Sequence, residues 1–479
     1  MNVFHPRPTS MARLAALVGA FAGLSAAATL PTAASIATEM GLGWNLGNTM
    51  ESPGAPPYWS GIAPSQAQID VVKAAGFHSV RIPCGWYSHT QSDSLTIQPA
   101  WLTLVKSVVD YCIKDSLFVI LNSHWDNGWL EEHIDASHQA LVNKRQGAYW
   151  RQIATTFKDY DRHLIFASAN EPAVQDAYGT AFGADRVAIL NSYHQTFIDT
   201  VRATGGNNAT RTLVIQGPHA DIELTKSAYT TLPTDKSTSG RLMFEDHFYP
   251  YQYTLMTSDQ SWGNMFYYWG QGNHSTTDVA HNPTWGEEAF VDSEFTILKR
   301  MFVDKGMPVV LGEFGAGLRT TLTGADLALH KKGRLAFYKY VAQSGKAHGV
   351  IPFAWDTDYK GDMNFTIIDR DNLKVYDQDL MNALLSGAGT TGIESRPDFA
   401  SGRLSIRSEP GALLASFAAA SEGPANVVLT DLRGRTLWSG AFQAQEGQNQ
   451  FRVPVAQHGL AVVRVRQGEQ SEVASVSVP

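Results

Sequence analysis

Between Gly41 and about Leu385, short apolar runs alternate with amphipathic stretches, and that alternation restricts the chain to few architectures. The runs at 41–46, 77–83, 117–122, 163–168, 212–216, 241–246, 308–312 and 349–354 predict strands. Most resemble Leu117-Phe118-Val119-Ile120-Leu121, apolar at successive positions rather than alternate ones. Parallel strands covered on both faces have that composition. The stretches near 64–75, 98–114, 143–159, 187–204, 292–305 and 326–344 predict helices, with caps at Pro64-Ser65 and Thr323-Gly324-Ala325-Asp326. Eight strands with intervening helices over about 340 residues predict an α/β fold, a (β/α)8 TIM barrel spanning 35–385. A doubly wound sheet would carry a Gly-rich phosphate loop after an early strand, and Gly41-Leu42-Gly43 opens no GxxxxGK[ST] pattern.

The two ends differ from this middle. Ser386-Gly387-Ala388-Gly389-Thr390-Thr391-Gly392 reads as the start of a flexible linker over 386–395. Beyond Leu385 there is no Lys, and eight Arg balance eight acids. The runs at 404–406, 425–429, 436–438 and 459–465, with turns such as Asp431-Leu432-Arg433-Gly434-Arg435, predict a small all-β, sandwich-like module over 396–479. At the other end, Arg7 and Arg13 precede an apolar stretch from Leu14 to about Leu24, followed by Ala26-Ala27-Ala28. That is the pattern of an export signal over 1–28, with Met11 an alternative start. The stretch is shorter than the roughly 20 strongly apolar residues of a membrane anchor. The expectation is a protein exported to the medium or cell surface, a monomer with no stable membrane insertion once the signal is removed.

A net charge of −8 provides no basic face, so a nucleic-acid partner is not expected. Twelve Trp are more than a core requires and point to exposed stacking surfaces. The two cysteines, Cys84 after the second strand and Cys112 near the end of a helix, fall at opposite ends of a barrel. That separation exceeds the roughly 7 Å Cα limit for a disulfide, so two free thiols are expected.

The predicted strand ends carry polar residues that a structural core would not select. Glu171, in Asn170-Glu171-Pro172, and Glu313, in Gly312-Glu313-Phe314-Gly315, each follow an apolar run and lie 142 positions apart. Two carboxyl groups at one rim are what cleavage of a glycosidic bond requires. Other strand ends supply Trp44-Asn45-Leu46-Gly47-Asn48, Arg81, Asn122-Ser123-His124-Trp125, His247 with Tyr249, and Trp355-Asp356. Barrel enzymes place their catalytic groups at that rim. The stretch from Tyr249 to Phe290 is rich in aromatics, Trp262 among them, and reads equally as a self-packed loop and as a wall of a sugar-binding cleft.

In family order, Gly43-Trp44-Asn45-Leu46-Gly47-Asn48, Val80-Arg81-Ile82-Pro83, His124, Asn170-Glu171-Pro172, His247-Phe248-Tyr249, Gly312-Glu313-Phe314-Gly315 and Trp355 resemble the motifs of glycoside hydrolase family 5, in particular its bacterial endoglucanases. The resemblance implies a retaining double displacement, with Glu171 as acid/base and Glu313 as nucleophile, their carboxyl groups about 5–5.5 Å apart rather than the roughly 6.5–9.5 Å of inversion. It also implies that Arg81 keeps Glu313 ionised, that Tyr249 donates to Glu313, and that Asn170 holds the sugar 2-hydroxyl. His124 and His247 would position hydroxyls and carboxylates, Asn48 would bind substrate, and Trp355 would form a stacking floor. Trp125 and Trp129, in a segment resembling a family loop, and Trp262 are further candidate sugar platforms.

No cofactor is implied, and no metal, because His124, His133 and His138 lack HExxH or comparable spacing. The expected partner is a β-glucan, cleaved as by an endo-β-1,4-glucanase. A mannanase, xyloglucanase or mixed-linkage glucanase would use the same frame, as would a transglycosylase. A non-catalytic carbohydrate-binding barrel is disfavoured by the presence of both glutamates.

Overall fold

The computed structural model describes residues 30–174, 182–229, 231–236, 238–389, 404–409, 412–419, 421–431, 435–454, 459–467 and 470–478. The export signal expected at 1–28 lies outside them, as does the expected linker from residue 390 onward. The chain divides into two compact units, Met1–Gly392 and Ile393–Pro479.

In the first unit, β1 (Gly43–Asn45), β2 (Ser79–Ile82), β3 (Phe118–Asn122), β4 (Leu164–Ala167), β5 (Leu213–Asp221), β6 (Leu242–Phe248), β7 (Val309–Phe314) and β8 (Val350–Ala354) close into one parallel barrel in sequence order. Each falls on one of the predicted runs. The helices are α1 (Ala33–Met40), α2 (Gln66–Ala75), α3 (Pro99–Lys114), α4 (Gln139–Thr156), α5 (Ala184–Ala203), α6 (Ile222–Ala228), α7 (Tyr251–Thr254), α8 (Glu288–Met301), α9 (Gly324–His348) and α10 (Gln378–Ala388). Ser65 opens α2 with a reciprocal capping box to Gln68. No helix among the described residues is long and apolar enough to cross a membrane.

The strands are apolar throughout because their two faces enter two separate cores. Val80, Val119, Leu121, Leu164, Phe166, Leu213 and Leu311 pack outward with the helices. Phe118, Ile120, Ile165, Val214, Met243, Val310 and Phe353 form an inner core with Ala33, Ile36 and Met40 of α1. Helix α1, which the apolar pattern did not single out, thereby covers one end of the barrel, with Ser79 Oγ donating to Met40 O. Two residues further along the inner face the composition changes. Arg81 follows Ser79, Asn122 follows Ile120, Gln216 follows Val214, Glu245 follows Met243 and Gly312 follows Val310. The strand ends therefore surround a buried polar layer on an apolar base.

Helix α10 continues to Ala388 and is capped by left-handed Gly389 at φ 59°. Ser386–Ala388 therefore belong to the helix, not to the expected linker: small residues at a helix end resemble linker composition until the glycine C-cap is recognised. Cys84 and Cys112 are buried and free.

The second unit contains antiparallel strands. After the short pair β9 (Ile368–Asp369) and β10 (Lys374–Val375) of the first unit come β11 (Leu404–Glu409), β12 (Ala412–Ala419), β13 (Gly423–Asp431), β14 (Thr436–Ala444), β15 (Gly447–Pro454), β16 (Gly459–Gln467) and β17 (Gln470–Val478). They form a sheet ordered β11-β12-β15 and another ordered β14-β13-β16-β17. Leu404, Leu413, Phe417 and Val453 of one sheet and Val427, Leu429, Val463 and Val465 of the other share a single apolar core.

Candidate active site

Arg81 organises the polar layer. Wholly buried, it donates from Nη1 to Glu313 Oε1 at 2.9 Å and to Asn45 Oδ1 at 3.0 Å, and from Nη2 to Asn170 Oδ1 at 2.7 Å. Its Nε lies 2.8 Å from Glu245 Oε1, an ion pair without hydrogen-bond alignment. Asn45 in turn donates to Gly312 O at 2.9 Å, joining β1 to the strand that bears Glu313. A guanidinium presents several donors in one rigid plane, which lets one side chain hold residues from four strands or strand ends.

His247 is the second cation. Its Nδ1 lies 2.7 Å from Glu171 Oε1 and 3.9 Å from Glu313 Oε2, and its Nε2 lies 3.4 Å from Glu245 Oε1. Burial would make the ring harder to protonate, but the Glu313 charge and the hydrogen bonds to Glu171 and Glu245 prevail and raise its pKa to about 10. His247 is therefore an imidazolium at neutral pH. His124 is the opposite case: burial, with the Arg81 and His247 charges, holds it well below its ordinary value and neutral. It meets Asn122 at 3.1 Å, and its ring lies parallel to Trp355, centroids 6.0 Å apart.

The two expected carboxylates meet. One oxygen each of Glu171 and Glu313, with a His247 nitrogen, lie within 4.8 Å of one another. Their settings differ. The Glu171 side chain is 37% exposed and that of Glu313 is 8% exposed. Burial raises the Glu313 carboxyl above its ordinary value, while His247 and Arg81 draw it back down. Tyr249 donates its hydroxyl to Glu313 Oε2 at 3.2 Å, and burial beside these charges keeps it a neutral phenol.

The remaining predicted residues divide. Asn48, left-handed at φ 56°, donates its backbone N–H to Glu51. Trp125 and Trp262 are exposed, the former donating Nε1 to Glu132 at 3.0 Å and the latter lying beside Tyr251. Trp129 is 3% exposed and packs edge-on against Tyr149, so it is a core residue and not a sugar platform. The resemblance of its segment to a family loop implied a platform, but the tight left-handed turn at Asp126, Asn127 and Gly128 turns the indole inward. The 249–290 stretch has both expected characters: Tyr253, Phe266, Tyr268 and Trp269 are buried, whereas Tyr251, Trp262 and Trp285 are exposed.

The sequence pattern did not single out the buried acids Glu245, Glu51 and Glu131. Glu245 lies within an apolar run, but its position two residues after Met243 and two before His247 marks it as inward-facing. Gln216 donates to its second oxygen at 2.6 Å, and Gly312 beside it has no Cβ, which would overlap the carboxylate. Glu51 and Glu131 sit in loops, where an acid reads as solvated. Burial raises them to about 7 and about 8 respectively.

The family model for cellulase, glycosyl hydrolase family 5, matches residues 38–361. Endoglucanase A of Paenibacillus barcinonensis is 34% identical over 406 residues, covering 79% of this chain and 98% of that protein. The chain belongs to glycoside hydrolase family 5. As a member of that family it is a glycoside hydrolase. It is also similar to the solved structure of a GH5 xyloglucan-specific beta-1,4-glucanase from a ruminal metagenomic library in complex with XXLG, with TM-score 0.69 and 41% identity over 75% of this chain and 97% of that one. A GH5 lichenase from Caldicellulosiruptor sp. F32 is similar at TM-score 0.65 and 30% identity, over 75% and 97% of the two chains.

Proposed function

We propose that this glycoside hydrolase is an exported endo-β-1,4-glucanase that cleaves internal bonds of β-glucans with retention of anomeric configuration. The observation that carries the reading is the approach of Glu171 and Glu313 oxygens to within 4.8 Å. Retaining glycosidases keep the two carboxyl groups about 5–5.5 Å apart, whereas inverting ones leave room for a water between them. The exposed member, Glu171, is the acid/base, protonating the departing glycosidic oxygen and then deprotonating the incoming water. The buried member, Glu313, held by Arg81 and Tyr249, attacks the anomeric carbon and is released when that water attacks the glycosyl-enzyme.

Asn170 holds the 2-hydroxyl of the sugar being cleaved, and His247 fixes the direction of the Glu171 carboxyl. Neutral His124 and Trp355 form the floor beneath that sugar, and Asn48 contacts it from the first strand end. Trp125 and Trp262 offer faces to sugars on either side. Export is supported by Arg7 and Arg13 before the apolar stretch and by the small residues at 26–28. Amino-terminal sequencing of the secreted protein tests it, and an unprocessed terminus would reject it.

A second reading within this class is that xyloglucan is the preferred substrate, favoured by the 41% identity to a xyloglucan-specific enzyme. Carboxymethyl-cellulose, lichenan, xyloglucan and glucomannan compared by viscosity and reducing ends separate the two readings. Cleavage of glucomannan alone would reject both. Proton NMR of the first-formed product should show the β-anomer, and an α-anomer would refute retention.

A further inference from the structure

The backbone of the acid/base residue is itself held by a third glutamate. Glu131 is 6% exposed, on the loop after β3. Its Oε1 accepts the backbone N–H of Glu171 at 2.7 Å. Its backbone is anchored too: Glu131 O accepts from Ala173 N at 2.5 Å, Ile134 N donates to Ala173 O at 3.1 Å, and His133 bridges to Val174. Asn170 is therefore held at both its backbone, through the peptide to Glu171, and its side-chain oxygen, toward Arg81 Nη2. That orientation leaves the amide as the group presented to a sugar hydroxyl.

We propose that Glu131 is a positioning residue that, by holding the peptide between Asn170 and Glu171, orients both residues for the reaction. The inference rests on the acid/base role proposed for Glu171. The charged groups facing Glu131 are Glu171 on the loop after β4 and Glu313 at the end of β7, both negative when ionised. Behind them, His247 from β6 meets Glu171 and Arg81 from β2 meets Asn170 and Glu313. On its own loop, Glu132 accepts from the Trp125 indole and His133 meets Gly128 O. No cation is paired with Glu131 directly among the described residues. Burial is the largest influence on it and the Glu171 charge adds to it; the Glu171 N–H that it accepts opposes them, and the carboxyl, neutral at pH 6, is raised to about 8. Above that pH a third negative charge forms beneath the pair it positions.

The test compares Glu131→Ala, Glu131→Gln and wild type in the full chain on a soluble β-glucan. At pH 6, Glu131→Ala should lower kcat about 100-fold with KM within about threefold, as expected of a misplaced catalytic group. Glu131→Gln, which keeps the acceptor oxygen and cannot ionise, should restore most of that loss. Above pH 8 the slope of log kcat/KM should steepen by one unit in wild type and not in Glu131→Gln. An alanine variant with wild-type kcat would overturn positioning, and identical alkaline slopes for wild type and Glu131→Gln would overturn the neutral form. If Glu131→Ala fails to fold, the kcat of Glu131→Gln at pH 6 and the slope comparison still decide. Glu171→Gln serves as control: undiminished activity there would refute the acid/base assignment itself, whatever the Glu131 variants do.

Discussion

The two units solve burial in opposite ways. The module encloses Leu413, Phe417, Val427, Val463 and their neighbours, a core without an ionisable side chain among the described residues. The barrel encloses Arg81, Glu245, His247, Asn45 and Gln216 at its strand ends, on an apolar base shared with α1. Taking charges out of water is unfavourable unless each is paired and hydrogen-bonded. A fold can therefore hold such a layer only where every member has a partner, and it has reason to hold it only where the pairing fixes a geometry. The module's core provides stability alone. The barrel's polar layer gives up some of that stability to fix the directions of Glu171 and Glu313.

The contrast is open to direct attack. Glu313→Gln should reduce kcat on soluble β-glucan on the order of 10⁴-fold or more; substantial turnover would remove the nucleophile. Glu245→Gln touches no substrate in this arrangement, but it strips the partner from Arg81 Nε and His247 Nε2. Breaking a buried pair costs about 3–5 kcal/mol, so the barrel should melt earlier and kcat should fall as Arg81 and His247 relax. An unchanged melt would mean that the polar layer is not held together as described.

The effect of pH on melting should separate the units more gently. His247 is raised to about 10 in the folded barrel, against roughly 6.5 in an unfolded chain. Its contribution to stability is fully present below pH 6.5 and is lost as pH rises through 10. Glu131, raised to about 8, acts with the same sign across lower pH, since the folded state again binds the extra proton. Calorimetry between pH 6 and 10 should show the barrel transition falling while the module transition stays nearly level. The smallest expected change follows deletion of 393–479, which should leave kcat on soluble substrate within about twofold of wild type. A large loss would show that the apolar module supports the polar site.

Much of this was legible in the chain. Continuous apolar runs marked buried parallel strands, and Pro172 and Gly315 beside the two glutamates marked strand ends. The barrel interior was harder to read because a strand covered on both faces hides its period: Glu245 and Gln216 follow the inner-face register, yet alternation disappears when both faces are apolar. Glu131 left no local signal, since its inward turn depends on pairing with residues 173 and 174, some forty positions away. Trp129 erred in the reverse direction for a local reason, its burial being decided by a left-handed turn and not by composition. Strands β12, β15 and β17 escaped notice because polar and small residues interrupt their apolar runs.

Gly312 has a consequence for transplanting this chemistry. A side chain there would occupy the space of the Glu245 carboxylate. Copying only the two glutamates and Arg81 onto another barrel would leave the guanidinium braced on one side. The smallest portable unit also contains an acid on the neighbouring strand and a vacancy one residue before the nucleophile, so the graft must transfer an absence along with its side chains.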